Sequence, residues 1–359
     1  MGSAATWLGR IVGGERLDTD ASAELFTAVM RGEIETVPLA GILAAMATRR
    51  ETTEEILGAA RAMRAHVARV RPRRAPLLDT CGTGGSGVSR RNVSTAVALV
   101  AAARGVAVAK HGNRAASSRC GSADVLEALG VDVEAPPSVV ARCIDEVGVG
   151  FLFARSLHPA MAHAAPVRRA LGVRTIFNLL GPLTNPAFAD RYAMGVFDPT
   201  RAEDMARVLA ALGAQRALVV HGFEGDVAED PDAPWGIDDV SLAGQTLVVE
   251  ARGGSVERWI VTPEDLGLSR RPWRELAGGD PEDNARALTD LLEGRGQPAY
   301  RDAVLAAGAL ALLAASDAPR DQLGRFVAEV DEVLRSGAAA EVLARLVEAS
   351  RTRRPGEDG

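Results

Sequence analysis

The chain of 359 residues is almost without lysine: of its 41 basic residues only Lys110 is not an arginine. It has three cysteines, Cys81, Cys120 and Cys143, and neither a CxxC nor an HExxH motif. An odd, scattered set of this kind disfavours both a disulfide framework and a zinc site. No apolar run is expected to reach the ~18 residues of a membrane span. The N-terminus shows no signal-peptide core, so a reducing cytoplasm is the expected setting. Met1 to Thr6 fits the loose myristoylation pattern and Asn92-Val93-Ser94 a glycosylation sequon, and both are read as chance matches. Acidic residues are absent between Asp79 and Asp124.

What is present is ordinary for a globular protein: 47% hydrophobic and 25% charged residues. The length predicts two domains at roughly 100–200 residues each, with room for a sizeable core. The net charge of −6 argues against a general nucleic-acid binder. The acid-free stretch carries Arg90, Arg91, Arg104, Lys110, Arg114 and Arg119, so a concentrated positive segment sits in an acidic protein. That pattern predicts a pocket for a small anion. A lone lysine in an arginine-rich chain suggests that position 110 needs a compact ammonium rather than a planar fork.

The first ~70 residues read as helices: Asp20 to Arg31, a helix with Pro38 in its first turn running to Arg49, and one opened by a capping box at Thr52 and reaching about Val70. Arg71-Pro72-Arg73-Arg74 breaks the pattern as a hinge. Residues 1–72 are thus expected to form a helical domain. Afterwards short strands at Pro76–Leu78, Val106–Ala109, Gly150–Phe153, Tyr192–Phe197 and Ala217–Val220 alternate with helices at 92–103, 122–129, 139–147 and 201–212. This rhythm predicts an α/β fold with a mostly parallel sheet over residues 73–350. Helical patterning returns at 281–293, 299–315 and 319–336. The acidic stretch 223–236 reads as a loop, and 351–359 as a flexible tail.

Four segments carry chemistry. Asp79-Thr80-Cys81-Gly82-Thr83-Gly84-Gly85-Ser86-Gly87 follows a strand and feeds a helix from Asn92, a glycine loop suited to wrapping an anion at a helix N-terminus. It also matches the dinucleotide fingerprint, but the acid expected ~20 residues on is missing, which disfavours hydride transfer. Lys110-His111-Gly112-Asn113-Arg114-Ala115-Ala116-Ser117-Ser118 is dense in donors, as a phosphate-rich ligand requires. In the third segment His158 and His163 are five apart and make a poor metal pair, whereas Arg168 can clamp a carboxylate bidentately. The fourth, Gly236-Ile237-Asp238-Asp239, offers adjacent carboxylates that can coordinate Mg²⁺ when ligand phosphates complete the shell.

Taken in order, DTCGTGG at 79–85, NVST at 92–95, KHGNRAASS at 110–118, GSADVLEALG at 121–130 and GVRTIFNLLGPLTNP at 172–186 resemble the anthranilate phosphoribosyltransferases, over nearly the whole chain. The resemblance implies a small helical domain, completed by a helical segment at about 160–185, hinged to a large α/β domain. It also implies a homodimer and Mg²⁺. The implied reaction joins the anthranilate nitrogen to C1 of phosphoribosyl pyrophosphate and releases pyrophosphate. By the same resemblance, Gly82, Gly85, Ser86, Arg90, Asn92, Ser94, Thr95, Lys110, Asn113, Arg114, Ser117, Ser118 and Ser122 face phosphoribosyl pyrophosphate. Anthranilate is assigned to Gly82, His111, Asn113, His158, Met161 and Arg168, and the metal to Ser94, Asp238 and Asp239. Such a reaction needs electrostatic stabilisation and orientation, and no nucleophilic side chain.

The chain departs from the family pattern at Ser86, where Asp is usual, and at Arg90, where Thr is usual. It has Asp239 in place of Glu, and about ten extra residues precede the acidic pair. Within the same domain plan, a pyrimidine nucleoside phosphorylase and a non-catalytic nucleic-acid-binding homologue are the rival readings. The 172–186 run and Arg168 weigh against the first, and the negative charge outside 80–123 against the second.

Overall fold

The computed structural model describes residues 2–85, 89–115, 119–227 and 236–357. Four helices open the chain: α1 (Ala4–Val12), α2 (Thr19–Met30), α3 (Thr36–Arg49) and α4 (Thr53–Ala65). The capping box forms as expected, Glu55 N–H donating to Thr52 Oγ1 and Thr52 N–H to Glu55 Oε2. Glu55 is buried and also receives both Nη groups of Arg49, so one carboxylate starts α4 and ties it to α3. The expected extension of α4 to Val70 does not form. Beyond Ala65 the backbone turns outward instead: Ala68 N–H donates to Leu157 O and Val70 N–H to Pro186 O, contacts that outcompete further helical turns.

The α/β part begins with β1 (Leu77–Gly82), α5 (Val93–Ala103), β2 (Ala107–Gly112), α6 (Ser122–Ala128), α7 (Pro137–Glu146) and β3 (Val149–Phe153). It continues with α8 (Ala154–Leu157), α9 (Ala165–Leu171), α10 (Phe177–Leu183), β4 (Arg191–Gly195), α11 (Ala202–Ala211) and β5 (Arg216–Gly222). It closes with β6 (Thr246–Arg252), β7 (Ser255–Val261), α12 (Pro281–Leu292), α13 (Pro298–Ala315), α14 (Leu323–Ser336) and α15 (Ala338–Arg351). The strands form one sheet in the order β3-β2-β1-β4-β5-β6-β7. The first five are parallel, and β6 and β7 add an antiparallel hairpin at the edge. The mostly parallel α/β expectation therefore holds, with a hairpin it did not include.

The order reverses between β1 and β4, because β2 and β3 extend the sheet one way and β5 the other. Loops leaving β1 and β4 diverge there and leave a crevice at the carboxyl edge. On the buried side, α5 and α13 are apolar around their circumference beyond their N-terminal turns, as helices enclosed on all sides must be. α13 is 18 residues long and apolar enough to span a bilayer, contrary to expectation, but it is largely buried within the core.

The helical part is completed from later in the chain: α9 packs on α3 and α10 on α4. Phe26 meets Phe177 edge-on at 5.8 Å between ring centroids. Two buried groups stitch the parts together, Arg201 pairing with Glu51 at 2.6 Å and Arg64 donating to Leu183 O and Tyr192 Oη. The stretch after Arg351 is not free either. Through residue 357 it is anchored, Glu357 pairing with Arg142 at 2.6 Å and accepting Ser138 Oγ on its carbonyl.

Candidate active site

All four chemistry-bearing segments meet at one cleft of about 1790 Å³ over the carboxyl ends of the strands. The strands run further than their apolar runs suggest, so Asp79–Gly82 lie in β1 and Lys110–Gly112 in β2 rather than in the loops after them. Pairing holds them there: Lys110, His111 and Gly112 are register partners of Phe151, Leu152 and Phe153. At the crevice, Gly82 of β1 pairs with Gly195 of β4. The backbone at Asp238 crosses directly over this pair. A Cβ at Gly195 would lie 1.9 Å from Asp238 O, and one at Gly82 2.8 Å from Asp238 Oδ2. Only glycine at both positions lets the carboxylates reach the glycine loop.

Lys110 is buried and points inward. Its Nζ donates to Thr80 O at 2.7 Å and Ser94 Oγ at 3.3 Å, tying β1 and the first turn of α5 to β2. Burial lowers its pKa, and the carboxylate of Asp79 works against that. Ser94 thus already faces an ammonium. Thr95, one residue on, is buried with its hydroxyl unpartnered among the described residues.

Asp238 and Asp239 are engaged in a similar way. Asp238 Oδ2 accepts Gly84 N–H at 2.8 Å and Oδ1 accepts Arg90 Nη2 at 2.9 Å. Asp239 Oδ1 accepts Val240 N–H, and its Oδ2 lies 4.0 Å from Arg90 Nη1. Burial pushes the Asp239 carboxyl up to about 6 against the pull of Arg90. Arg90 therefore lines the cleft with its charge on carboxylates, where a phosphate was expected. Each of the three residues assigned to the metal touches a protein cation, and among the described residues no cluster of three or more His, Cys, Asp or Glu suits a metal ion. As placed, this donor set does not fit a divalent ion.

The Arg168 side of the cleft is built differently. Arg168, on α9, is partly buried with its guanidinium 5.5 Å from the Phe177 ring centroid, and has no carboxylate partner among the described residues. Burial lowers its pKa. His111 and His158 face each other at 3.2 Å, Nε2 to Nε2. Burial drives His111 well below the ordinary histidine range and His158 down to about 4, so both rings are neutral at pH 7. His158 Nδ1 is buried without a partner among the described residues. Met161 is half-buried nearby and lines the cleft.

Other expected residues divide. Asn92 stands at the N-cap position of α5 without a side-chain capping bond, and its Oδ1 accepts Asn284 Nδ2. Asn113 accepts Ser122 Oγ on its backbone oxygen at 3.3 Å, so these two brace each other. Arg114 is taken up by Glu127 at 2.7 Å and Asp124 at 3.2 Å, and points its charge at α6 rather than at a phosphate. Gly85 adopts φ +95°, and its carbonyl accepts the guanidinium of Arg174. Ser86, Ser117 and Ser118, and most of the acidic loop, lie outside the described residues.

Two contributors went unnoticed in the sequence. Arg174 lines the cleft, stacks 3.9 Å from the Phe197 ring centroid and holds the glycine loop. It lies within the 172–186 run, so the signal was present. Asp79 is fully buried, accepts His111 N–H and Asn185 Nδ2, and is pushed up to about 6 by burial. It fixes the strand ends rather than facing the cleft.

Known proteins place this architecture. Residues 5–67 match the helical bundle domain, and residues 74–340 the a/b domain, of the glycosyl transferase family. The anthranilate phosphoribosyltransferase of Anaeromyxobacter dehalogenans is 49% identical over 96% of this chain and 97% of its own length. That of Thermus thermophilus is 51% identical over 93% of this chain and 96% of its own. A crystal structure of the Thermus thermophilus enzyme superposes with a TM-score of 0.88 over 96% of this chain and 99% of that one, at 49% identity. The Saccharomyces cerevisiae enzyme, solved with phosphoribosyl pyrophosphate and Mg, shares the fold at 24% identity, with a TM-score of 0.84 over 97% of both chains. Half the residues agree across nearly the full length of both domains, and the chain belongs to the anthranilate phosphoribosyltransferases of the glycosyl transferase family.

Proposed function

We infer that this protein transfers the phosphoribosyl group of phosphoribosyl pyrophosphate to the amino group of anthranilate. The products are N-(5-phosphoribosyl)anthranilate and pyrophosphate, as in the second step of tryptophan synthesis from chorismate. One observation carries the reading: the glycine loop and an arginine that has no carboxylate partner among the described residues line the same cleft at the sheet's switch point.

The amine lone pair forms the N–C1 bond as the C1–O bond breaks, the electron pair leaves with pyrophosphate, and the amine proton passes to water. Charge builds on the leaving diphosphate and on an oxocarbenium-like sugar. The backbone of Gly82–Gly85 and the N-terminal turn of α5, with Ser94 and Thr95, suit the diphosphate. Lys110 supports that edge from beneath. Asn113 and Ser122 are assigned to the sugar phosphate side, with Ser117 and Ser118. Arg168 forks onto the anthranilate carboxylate, and the neutral histidine pair with Met161 offers its ring an uncharged wall. Orientation of the amine supplies much of the rate. Mg²⁺ enters this reading as an escort of the diphosphate, and no step runs through Asp238, Asp239 or Ser94. A cytoplasmic homodimer is part of the same reading.

Incubation with anthranilate and phosphoribosyl pyrophosphate should extinguish anthranilate fluorescence with stoichiometric release of pyrophosphate. Unchanged fluorescence alongside phosphorolysis of a pyrimidine nucleoside would overturn the reading.

A further inference from the structure

Arg90 reaches 148 residues along the chain to the acidic pair. Its backbone is held from outside the cleft: it bridges Ala277, Arg91 N–H donates to Leu276 O, and Gly278 N–H to Ser89 O. With its backbone fixed, the side chain lies across Asp238 and Asp239, one Nη at 2.9 Å from the first carboxylate and the other at 4.0 Å from the second. The Arg90 and Asp238 side chains are only 12% and 11% exposed. Its Nε is buried and without a partner among the described residues, so the guanidinium is placed for the two carboxylates at the expense of its own third donor edge.

Two adjacent carboxylates on a glycine-floored crevice are what an oxygen-seeking divalent ion takes, but such an ion needs free oxygens. Here Gly84, Val240 and Arg90 occupy three of the four oxygens, and the fourth faces the same guanidinium. A hard divalent ion and a guanidinium cannot share this space, because the like charges repel at short range in a poorly hydrated site. We propose that Arg90 is the resident cation of the Asp238–Asp239 pair: it closes the pair to divalent ions in the free protein and sets how weakly they bind there. Arg90 is thus a positioning and metal-specificity residue. A divalent ion then arrives with the diphosphate rather than waiting on the enzyme.

This inference deepens the proposed function by saying what the acidic pair does before substrate arrives, and its test needs no turnover. Mn²⁺ alone is titrated into the full chain and the free ion is followed by electron paramagnetic resonance. Wild type and Arg90→Lys, which keeps a cation, should bind Mn²⁺ weakly. Arg90→Gln and Arg90→Leu should each gain one site per chain, about tenfold tighter or more. Adding Asp238→Asn to Arg90→Gln should abolish the gain. Mg²⁺ should raise the melting temperature of Arg90→Leu and leave that of wild type unmoved.

Equal Mn²⁺ affinity in wild type and Arg90→Gln would overturn the proposal, as would a gained site that survives Asp238→Asn. Failure of both uncharged variants to fold, with no rescue by Mg²⁺, would also overturn it and make Arg90 a purely structural ion pair. A wild type that consumes anthranilate while Arg90→Gln gains no site would lose this inference and keep the proposed function. A chain without turnover in which the site still appears would do the reverse.

Discussion

Arg90 and Arg168 line the same cleft and carry the same group, yet their surroundings are opposite. Arg90 lies against two carboxylates and is spent within the protein. Arg168 has an aromatic ring beside it, a neutral histidine pair in the same cleft, and no acid to hold it among the described residues. Residue type therefore says little about availability: an arginine near a binding site is a ligand group only if the protein has left it unpaired. Arg114 belongs with Arg90 in this respect, and Lys110, buried beneath the strand ends, lies between the two cases.

The comparison breaks most visibly at Arg168. Arg168→Ala should raise KM for anthranilate about 10–150-fold, the equivalent of losing a charge-assisted contact of about 1.5–3 kcal/mol. KM for phosphoribosyl pyrophosphate should move far less. Steady-state kinetics in both substrates checks this, and equal rises would make Arg168 a helix-packing residue like any other.

Lys110 should come next. Lys110→Ala leaves the Thr80 carbonyl without its donor, and Lys110→Arg forces a broader group into a closed space. Each should cost about 1–3 kcal/mol in urea unfolding and lower kcat/KM for phosphoribosyl pyrophosphate. Wild-type values in both variants would show that the chain's lone lysine has no special task.

The neutral histidines give a pH signature. The folded pKa of His158, about 4, lies below the ordinary 6.5, so the unfolded chain takes up a proton that the fold refuses as pH falls from 6.5 toward 4. Stability is therefore lost over that window, by about 1–2 kcal/mol at pH 5. Asp79 and Asp239, pushed up to about 6, act oppositely as pH falls from there. The quantity to read is thus the difference between wild type and His158→Gln. The variant should lose less stability on acidification, and parallel curves would mean that His158 titrates in the fold as it does in the unfolded chain.

The smallest effect is expected at Arg114. Its ion pairs with Asp124 and Glu127 are partly exposed, so Arg114→Gln should cost about 1 kcal/mol or less and leave both KM values near wild type. A large rise in KM for phosphoribosyl pyrophosphate would move Arg114 back to the side of Arg168.

Much of this was readable from the chain. The alternation of apolar runs and helices from Leu77 to Val220 is local, and it located the parallel strands. The β6–β7 hairpin was missed although Gly253-Gly254 separates two β-rich runs, because those runs interrupt a parallel series and give no helix between them. The end of α4 was not, because the bonds that divert Ala68 and Val70 come from residues 157 and 186. Candidate site residues were legible as types and motifs, while their charge state was not. The partner of Arg90 lies 148 positions away, and the register that sets Gly82 beside Gly195 exists only once the sheet has formed.

The apolar helix α13 has a consequence in time. It covers β1, β4 and β5, but more than two hundred residues separate the end of β1 from Pro298. At ~5–20 residues per second, a growing chain waits roughly 10–40 s between making that strand and making its cover. During synthesis the part of β1 that α13 covers stays without that cover for the interval. A ribosome that stops short of residue 298 releases a product that has the cleft residues through Asp239 but lacks the helix that covers β1, β4 and β5.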